Sequence, residues 1–236
     1  MKVLVIPDVH LKPWMFERAS ELMKGTKAEK AVCLMDIPDD WGQEFNLDLY
    51  ISTFYSAVSF AKEFPETLWC YGNHDICYPW NQRETGYSPI ASWAVCEKLR
   101  VLQKVLPDEK QLAFLHRIDN VLFCHGGLTD EFVRRYVPAK HYDNVDAVID
   151  TINGFGPGEL WQDESPLWCR PQYCSGSMYK PGKLLQVVGH TPVEAITKKD
   201  NLISCDVFST YRDGRPIGTQ EFLMLETDSW AYKGIR

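Results

Sequence analysis

The stretch Val3-Leu4-Val5-Ile6-Pro7-Asp8-Val9-His10 decides how this chain is read. A short apolar run of the β type stops at a proline, and a carboxylate and an imidazole follow two residues apart. Four more apolar runs lead into short motifs rich in carboxylates, imidazoles or glycine. Residues 31–34 lead into Asp36-Ile37-Pro38-Asp39, and residues 67–71 into Gly72-Asn73-His74-Asp75. Residues 121–124 lead into His125-Gly126-Gly127, and residues 184–188 into Gly189-His190-Thr191. Loops at strand ends are where a scaffold holds reactive groups. Singly, each motif has an ordinary structural explanation. Five in a row, each at a strand end, do not.

Working outward, further β-type runs lie at residues 112–115, 202–205 and 221–225. Helix-like stretches cover residues 14–24, 47–63, 90–105, 129–137 and 144–152. In the second of these, Leu47, Tyr50, Ile51, Phe54, Val58 and Ala61 follow an i, i+3, i+4 stripe. Strands alternating with helices in the first half predict parallel βαβ units. The second half is richer in strands, and residues 112–115 and 121–124 have hairpin spacing across 116–120. The expected architecture is α/β (α+β), with two packed sheets and helices outside. A chain of 236 residues is expected to form a single domain, 1–236. Residues 76–89 and 154–182 lack periodicity and are expected to be active-site loops. Their aromatics argue against disorder.

Composition narrows the function classes. Hydrophobic content of 45% and charged content of 24% are those of an ordinary globular protein. A net charge of −7 argues against a nucleic-acid backbone or an anionic membrane as the main partner. No run is long enough for a signal peptide or a membrane span, so a cytoplasmic location is expected. The eight cysteines include no Cys-x-x-Cys pair, which argues for reduced thiols and against a structural zinc site.

The five motifs offer carboxylates, imidazoles and one amide, a donor set suited to divalent metals. Asp8 and His10, two apart on a strand, would face the same way. Asp36 has two oxygens and could bridge two cations. Asn73 offers a neutral oxygen, while its neighbour His74 cannot easily reach the same ion and is left free to act on substrate. An imidazolium is suited to protonating a leaving oxygen near neutral pH. Asp39 and Asp40 could equally cap a helix.

In this order the motifs resemble the calcineurin-like metallophosphoesterases. Within them the chain is similar to the bacterial and phage branch of the phosphoprotein phosphatases, which includes symmetrical diadenosine tetraphosphatases. The resemblance runs from Asp8 to about Asp206. It implies a four-layer αββα sandwich of two mixed β-sheets flanked by helices. It implies that Asp8 and His10 bind a first metal, that Asp36 bridges, and that Asn73, His125 and His190 bind a second. It makes His74 the general acid, oriented by Asp39. The segment Leu167-Trp168-Cys169-Arg170-Pro171 resembles the branch's Leu-Trp-Ser-Arg-Pro, which makes Arg170 a phosphate-binding residue.

The chain also departs from the family. Where relatives read Gly-Asp-x-x-Asp-Arg-Gly, it reads Met35-Asp36-Ile37-Pro38-Asp39-Asp40-Trp41-Gly42, so a second phosphate-binding arginine is missing. One fewer fixed cation is expected in the pocket, and Asp40→Arg is expected to raise activity on simple monoesters. Pro192 stands where the wider superfamily has a second histidine, which favours the phosphoprotein phosphatase branch. Asp206-Val207-Phe208 replaces Asp-Thr-Gly.

The resulting expectation is a serine/threonine protein phosphatase-like hydrolase for phosphate monoesters. It would use two divalent ions, manganese first and iron, zinc or nickel as alternatives. A metal-bound hydroxide would attack phosphorus in line, with Arg170 and the metals stabilising the charge. The expected partner is a phosphorylated small molecule or phosphopeptide, with no nucleic acid and no membrane. One alternative is a nucleotide pyrophosphohydrolase or phosphodiesterase, with Trp80, Trp168, Tyr173 or Tyr179 stacking a base. A second is an inactive metal-binding interaction module.

Overall fold

The run that opens the chain forms β1 (Lys2–Ile6), buried from Val3 onward. It lies inside a six-stranded sheet that is covered by the second sheet on one face and by helices on the other, so both of its faces are apolar. The computed structural model describes residues 1–174 and 176–236. After β1 come α1 (Trp14–Thr26), β2 (Lys30–Cys33), α2 (Leu47–Glu63) and β3 (Leu68–Cys70). Strands β1, β2 and β3 pair in parallel, so each helix is the crossover of a βαβ unit. Helix α2 has its predicted bounds. The Asn46 side chain caps it by accepting from the Leu49 N–H, and Tyr50, Phe54, Val58 and Ala61 of the stripe are buried. A single helical turn, α3 (Asn73–Ile76), and helix α4 (Ser92–Val105) follow.

The strand expected at residues 112–115 is divided between the two sheets. β4 (Leu112–Ala113) pairs with β3, whereas β5 (Leu115–Ile118) forms a hairpin with β6 (Val121–Cys124) in the second sheet. At the crossing, Asn153 Oδ1 accepts from the N–H of Phe114 at 3.1 Å and of Leu115 at 2.9 Å. This satisfies donors that would otherwise be lost where the ladder changes. His116 is therefore a strand residue and not part of the turn.

The remaining elements are α5 (Asp130–Tyr136), α6 (Val145–Asn153), α7 (Pro157–Leu160), β7 (Leu185–Val188), β8 (Thr197–Lys199), β9 (Leu202–Ser204), β10 (Phe222–Glu226) and β11 (Tyr232–Ile235). The sheets run β11-β10-β1-β2-β3-β4 and β5-β6-β7-β9-β8, and both are mixed. β8 and β11 are edge strands whose exposed residues make no apolar run, so the sequence did not announce them.

Alternation along β1 builds the layers. Val3 and Val5 pack with Phe123, Leu185 and Val187 of the second sheet. Leu4 and Ile6 point the other way, toward Phe16 of α1 and Phe54 of α2. Leu115 and Leu122 of the second sheet pack against Phe132 of α5 and Val148 of α6. Two mixed sheets thus lie face to face between helices, the αββα arrangement expected. Among the described residues no helix is long and apolar enough to cross a membrane. All eight cysteines are free thiols.

Candidate metal centre

The loops that follow β1 and β2 are zipped together. The N–H groups of Val9, His10 and Leu11 donate to the carbonyls of Met35, Asp36 and Ile37 at 3.0, 2.8 and 3.0 Å. The backbone is left-handed at His10, Leu11, Met35, Asp36, Asp39 and His190, with φ between 42° and 66°. Non-glycine residues adopt this conformation at a cost and cluster where a site demands it. Strand alternation is therefore not what aims Asp8 and His10. β1 ends at Ile6, and the left-handed turn directs the ring of His10. Its Nδ1 lies 2.9 Å from the Asp39 carbonyl, which leaves Nε2 3.9 Å from Asp36 Oδ2.

His125 sits at the centre of the cluster. Its Nδ1 is 3.0 Å from the Leu34 carbonyl, which can only accept, so Nδ1 carries a proton and Nε2 is the ring atom turned toward the other side chains. Around that Nε2 lie Asp36 Oδ2 at 3.1 Å, Asn73 Oδ1 at 3.0 Å and His190 Nδ1 at 3.1 Å. The other ring nitrogen of His190 is buried and has no hydrogen-bond partner. Metal-ligating atoms of Asp36, His125 and His190 lie within 4.8 Å of one another. Four atoms that can each ligate an ion, from Asp36, Asn73, His125 and His190, converge in one buried space. A divalent cation of borderline character fits that donor set.

The field of the cluster has the same sign. Burial works against a charged His125, yet Asp36 and Asp8 outweigh it and raise the ring to about 10. Burial also opposes ionised Asp36, but His125 and then His74 hold that carboxyl well below the usual range. Asp8 adjoins on the other side. Its Oδ1 accepts from the His190 N–H at 2.9 Å and lies 3.3 Å from His125 Nδ1. Burial and then Asp206 push the Asp8 carboxyl well up. The structure thus groups Asp36, Asn73, His125 and His190, with Asp8 beside His125 and His10 beside Asp36.

Two glycines permit this density. A Cβ on Gly72 would stand 2.0 Å from Asp36 Oδ1, and one on Gly189 would stand 2.1 Å from Asp8 Oδ2. Asp75 is a functional residue to which the sequence reading assigned no role. Its buried carboxylate accepts from the N–H groups of Asp36, Ile37 and Gly72 at 2.8, 3.0 and 2.9 Å, and so holds the Asp36 turn. The signal available was its place in the Gly-Asn-His-Asp tetrapeptide, three residues after the glycine that starts α3.

His74 meets Asp39 as the resemblance implied, Nδ1 to Oδ2 at 2.9 Å. The other Asp39 oxygen accepts from the hydroxyls of Tyr50 at 2.7 Å and Tyr78 at 2.5 Å. Tyr50 belongs to the buried stripe of α2, and Tyr78 to the segment of residues 76–89. Only the folded chain shows that their hydroxyls serve Asp39. Burial opposes the charged form of His74, but Asp36 and then Asp39 outweigh it and raise the ring to about 9.

These groups open into a cavity of about 450 Å³ whose wall includes His10, His74, Arg170 and His190. Arg170 Nη1 donates to the His190 carbonyl at 2.7 Å and the Thr191 hydroxyl at 3.3 Å. Of the four aromatics considered for base stacking, Trp168 alone lines this cavity. Trp80 packs on Phe114 and Trp161, Tyr179 is buried, and Tyr173 is exposed elsewhere. Asp40 does not stand as a bare acid. It pairs with Lys12 Nζ at 3.2 Å and accepts from the Thr210 hydroxyl at 2.9 Å. Nor is the pocket short of a second arginine, because Arg212 lines it.

No curated protein matches the chain by sequence. A cold-active protein tyrosine phosphatase is similar in structure, with TM-score 0.57 and 16% identity over 100% of this chain and 78% of that one. The cold-active protein-tyrosine phosphatase of a psychrophilic Shewanella sp. aligns at TM-score 0.56 and 15% identity, over 100% of this chain and 80% of that one. At these identities the likeness concerns the fold. A novel archaeal phosphodiesterase aligns at TM-score 0.45 and 13% identity, over 100% of this chain and 99% of that one. The profile of the family described as calcineurin-like phosphoesterase matches residues 1–214. With that match over most of its length, the chain belongs to the calcineurin-like phosphoesterase family.

Proposed function

We propose that this protein is a dinuclear-metal phosphatase that hydrolyses phosphate monoesters, in the manner of serine/threonine protein phosphatases. The observation that carries the reading is the convergence of Asp36, Asn73 and His190 on His125 Nε2, beside a His74–Asp39 pair that shares the same cavity. Asp8 and His10 would hold one ion, Asn73, His125 and His190 the other, and Asp36 would bridge. Two divalent ions there would polarise the phosphoryl group and acidify the attacking water.

The remaining work falls to the chain's own residues. Arg170 has its guanidinium fixed by the His190 carbonyl and Thr191, which leaves its other N–H groups to take phosphate oxygens. His74 delivers a proton from Nε2 to the departing oxygen, because Nδ1 is tied to Asp39. Tyr50 and Tyr78 hold the Asp39 carboxylate in place, so the ring keeps its aim. The chain acts as one domain, with Glu84, Thr85 and Gly86 of one expected loop and Trp168 and Arg170 of the other lining the cavity.

The test is a panel of monoesters, phosphopeptides, diesters and nucleoside polyphosphates, assayed with added manganese alongside metal analysis. The expected result is two ions per chain and highest kcat/KM on a monoester. Fastest turnover of a dinucleoside polyphosphate would move the assignment to a nucleotide pyrophosphohydrolase. Bound metal without turnover of any phosphoester would leave only an interaction module.

A further inference from the structure

Arg212 lies on the segment between β9 and β10, and contacts made by other residues set its position. The Trp41 indole N–H donates to the Thr210 carbonyl at 3.1 Å. The Thr210 hydroxyl donates to Asp40 Oδ1 at 2.9 Å, and Lys12 Nζ donates to Asp40 Oδ2 at 3.2 Å. The turn after Asp39 is thereby fastened to a segment 170 residues further along the chain. On that support the Arg212 guanidinium rests over the Trp41 ring, 4.8 Å from its centroid. Stacking of this kind fixes the plane of a guanidinium and leaves its N–H edge free.

That edge has no carboxylate to satisfy it. The adjacent acid, Asp213, is held by Arg215, whose Nε donates to Asp213 Oδ2 at 2.8 Å. Asp40 is held by Lys12, and Asp39 by His74, Tyr50 and Tyr78. Among the described residues no acid, Glu84 of the same wall included, comes within ion-pair distance of Arg212. Arg212 nevertheless lines the cavity that holds the histidine–carboxylate cluster. A planar cation with its face covered, its edge unpaired and a cavity in front of it suits an oxyanion with two adjacent oxygens.

We propose that Arg212, seated on Trp41, binds phosphate oxygens of the substrate at the mouth of the cavity. This rests on the reading of the cavity as a phosphoesterase site and adds a residue that sets affinity there. Trp41 is a positioning residue, since it acts through the guanidinium it supports.

The experiment uses the metal-loaded full chain and the variants Arg212→Gln, Arg212→Lys, Trp41→Leu and Trp41→Phe. Kinetics on phenyl phosphate give kcat and KM, and competition gives the inhibition constant of inorganic phosphate. Calorimetry gives phosphate binding without turnover. For Arg212→Gln, KM and the phosphate constants should rise about tenfold, the low end for a charge-assisted bond at an exposed group. Its kcat should stay within about threefold, because an interaction made equally in ground and transition states moves KM alone. Arg212→Lys should recover part of the loss, since an ammonium lacks the planar fork. Trp41→Leu should weaken phosphate binding in the same direction and Trp41→Phe less so, with bound metal and Tm unchanged in all four.

Phosphate affinity in Arg212→Gln within about twofold of wild type would overturn the proposal while leaving the phosphoesterase reading intact. If the wild type hydrolyses no phosphoester, that reading fails and calorimetry still decides the role of Arg212. Tighter phosphate binding by wild type than by Arg212→Gln upholds it. Equal binding, or none by either, overturns it.

Discussion

Asp39 and Asp40 are neighbours in the chain but belong to different regions of the cavity. Asp39 lies at the floor, 2% exposed, and its carboxylate serves the ring of His74 while accepting from two tyrosine hydroxyls. Asp40 lies at the rim, where it accepts from Lys12 and Thr210 and touches none of the clustered histidines. The floor is made of buried groups that turn, at strand ends, toward one point. The rim is made of part-exposed contacts between distant loops. Changes at the floor should therefore strike metal content or the chemical step, and changes at the rim should strike binding.

The largest effect is expected from Asp36→Asn. An amide cannot supply two anionic oxygens, so bound metal should fall and turnover on any phosphoester should be lost. Elemental analysis beside an activity assay checks this. Two retained ions with near-normal kcat would show that the floor does not depend on a shared carboxylate.

His74→Asn comes next, with metal retained and kcat reduced by about 10²–10⁴, the range of general acid catalysis. The loss should shrink on a nitrophenyl ester, whose leaving group needs little protonation. Equal losses on good and poor leaving groups would remove His74 from the acid role. Tyr78→Phe sharpens the same point at smaller scale. It deletes one of the two hydroxyls on Asp39 Oδ1, a bond to a charged group of about 1.5–3 kcal/mol. A fall in kcat on poor leaving groups, with KM steady, is the expected signature.

At the rim the structure reverses an expectation. An arginine at position 40 should not restore a missing cation, because it would face Lys12 and lose the bond to Thr210. Asp40→Arg is expected to raise KM for a monoester several-fold rather than raise activity, with kcat little changed. Improved kcat/KM would show that the clamp is dispensable.

The smallest effect on turnover is expected from His116→Gln, away from both regions. His116 Nε2 lies 3.1 Å from the Trp69 carbonyl, and burial lowers the ring from 6.5 to about 4. The unfolded chain takes up a proton below about 6.5 that the folded chain refuses until about 4. The stability from this residue is therefore whole above pH 6.5 and is lost as pH falls toward 4. At 1.36 kcal/mol per pKa unit this amounts to about 3 kcal/mol. Denaturant titrations of wild type and His116→Gln across that window should show a shallower acid slope in the variant.

Much of the floor could be read from the sequence. The five motifs, the parallel order of the first three strands and the bounds of α2 all follow from short apolar runs, a helical stripe and residues adjacent to them. These are local properties, because strand burial and helix period are written within a few residues of one another. The family resemblance likewise implied that Asp39 orients His74, a pairing that no local pattern records.

Other features were settled by the tertiary structure alone. Residues 112–115 form one apolar run, yet the hydrogen-bond partner changes at Phe114, and composition says nothing about which sheet a strand joins. Tyr50 obeys the helical stripe perfectly, and its period accounts for the ring but not for the hydroxyl that reaches Asp39. Asp75, three residues past a glycine, is an ordinary turn acid until Asp36 folds above it. Arg212 and Trp41 meet only because Asp40 and Thr210 join loops 170 residues apart. What the sequence determined was which residue types end each strand. What the fold decided was which of them converge, because the free energy of a buried polar contact depends on partners that no local pattern records.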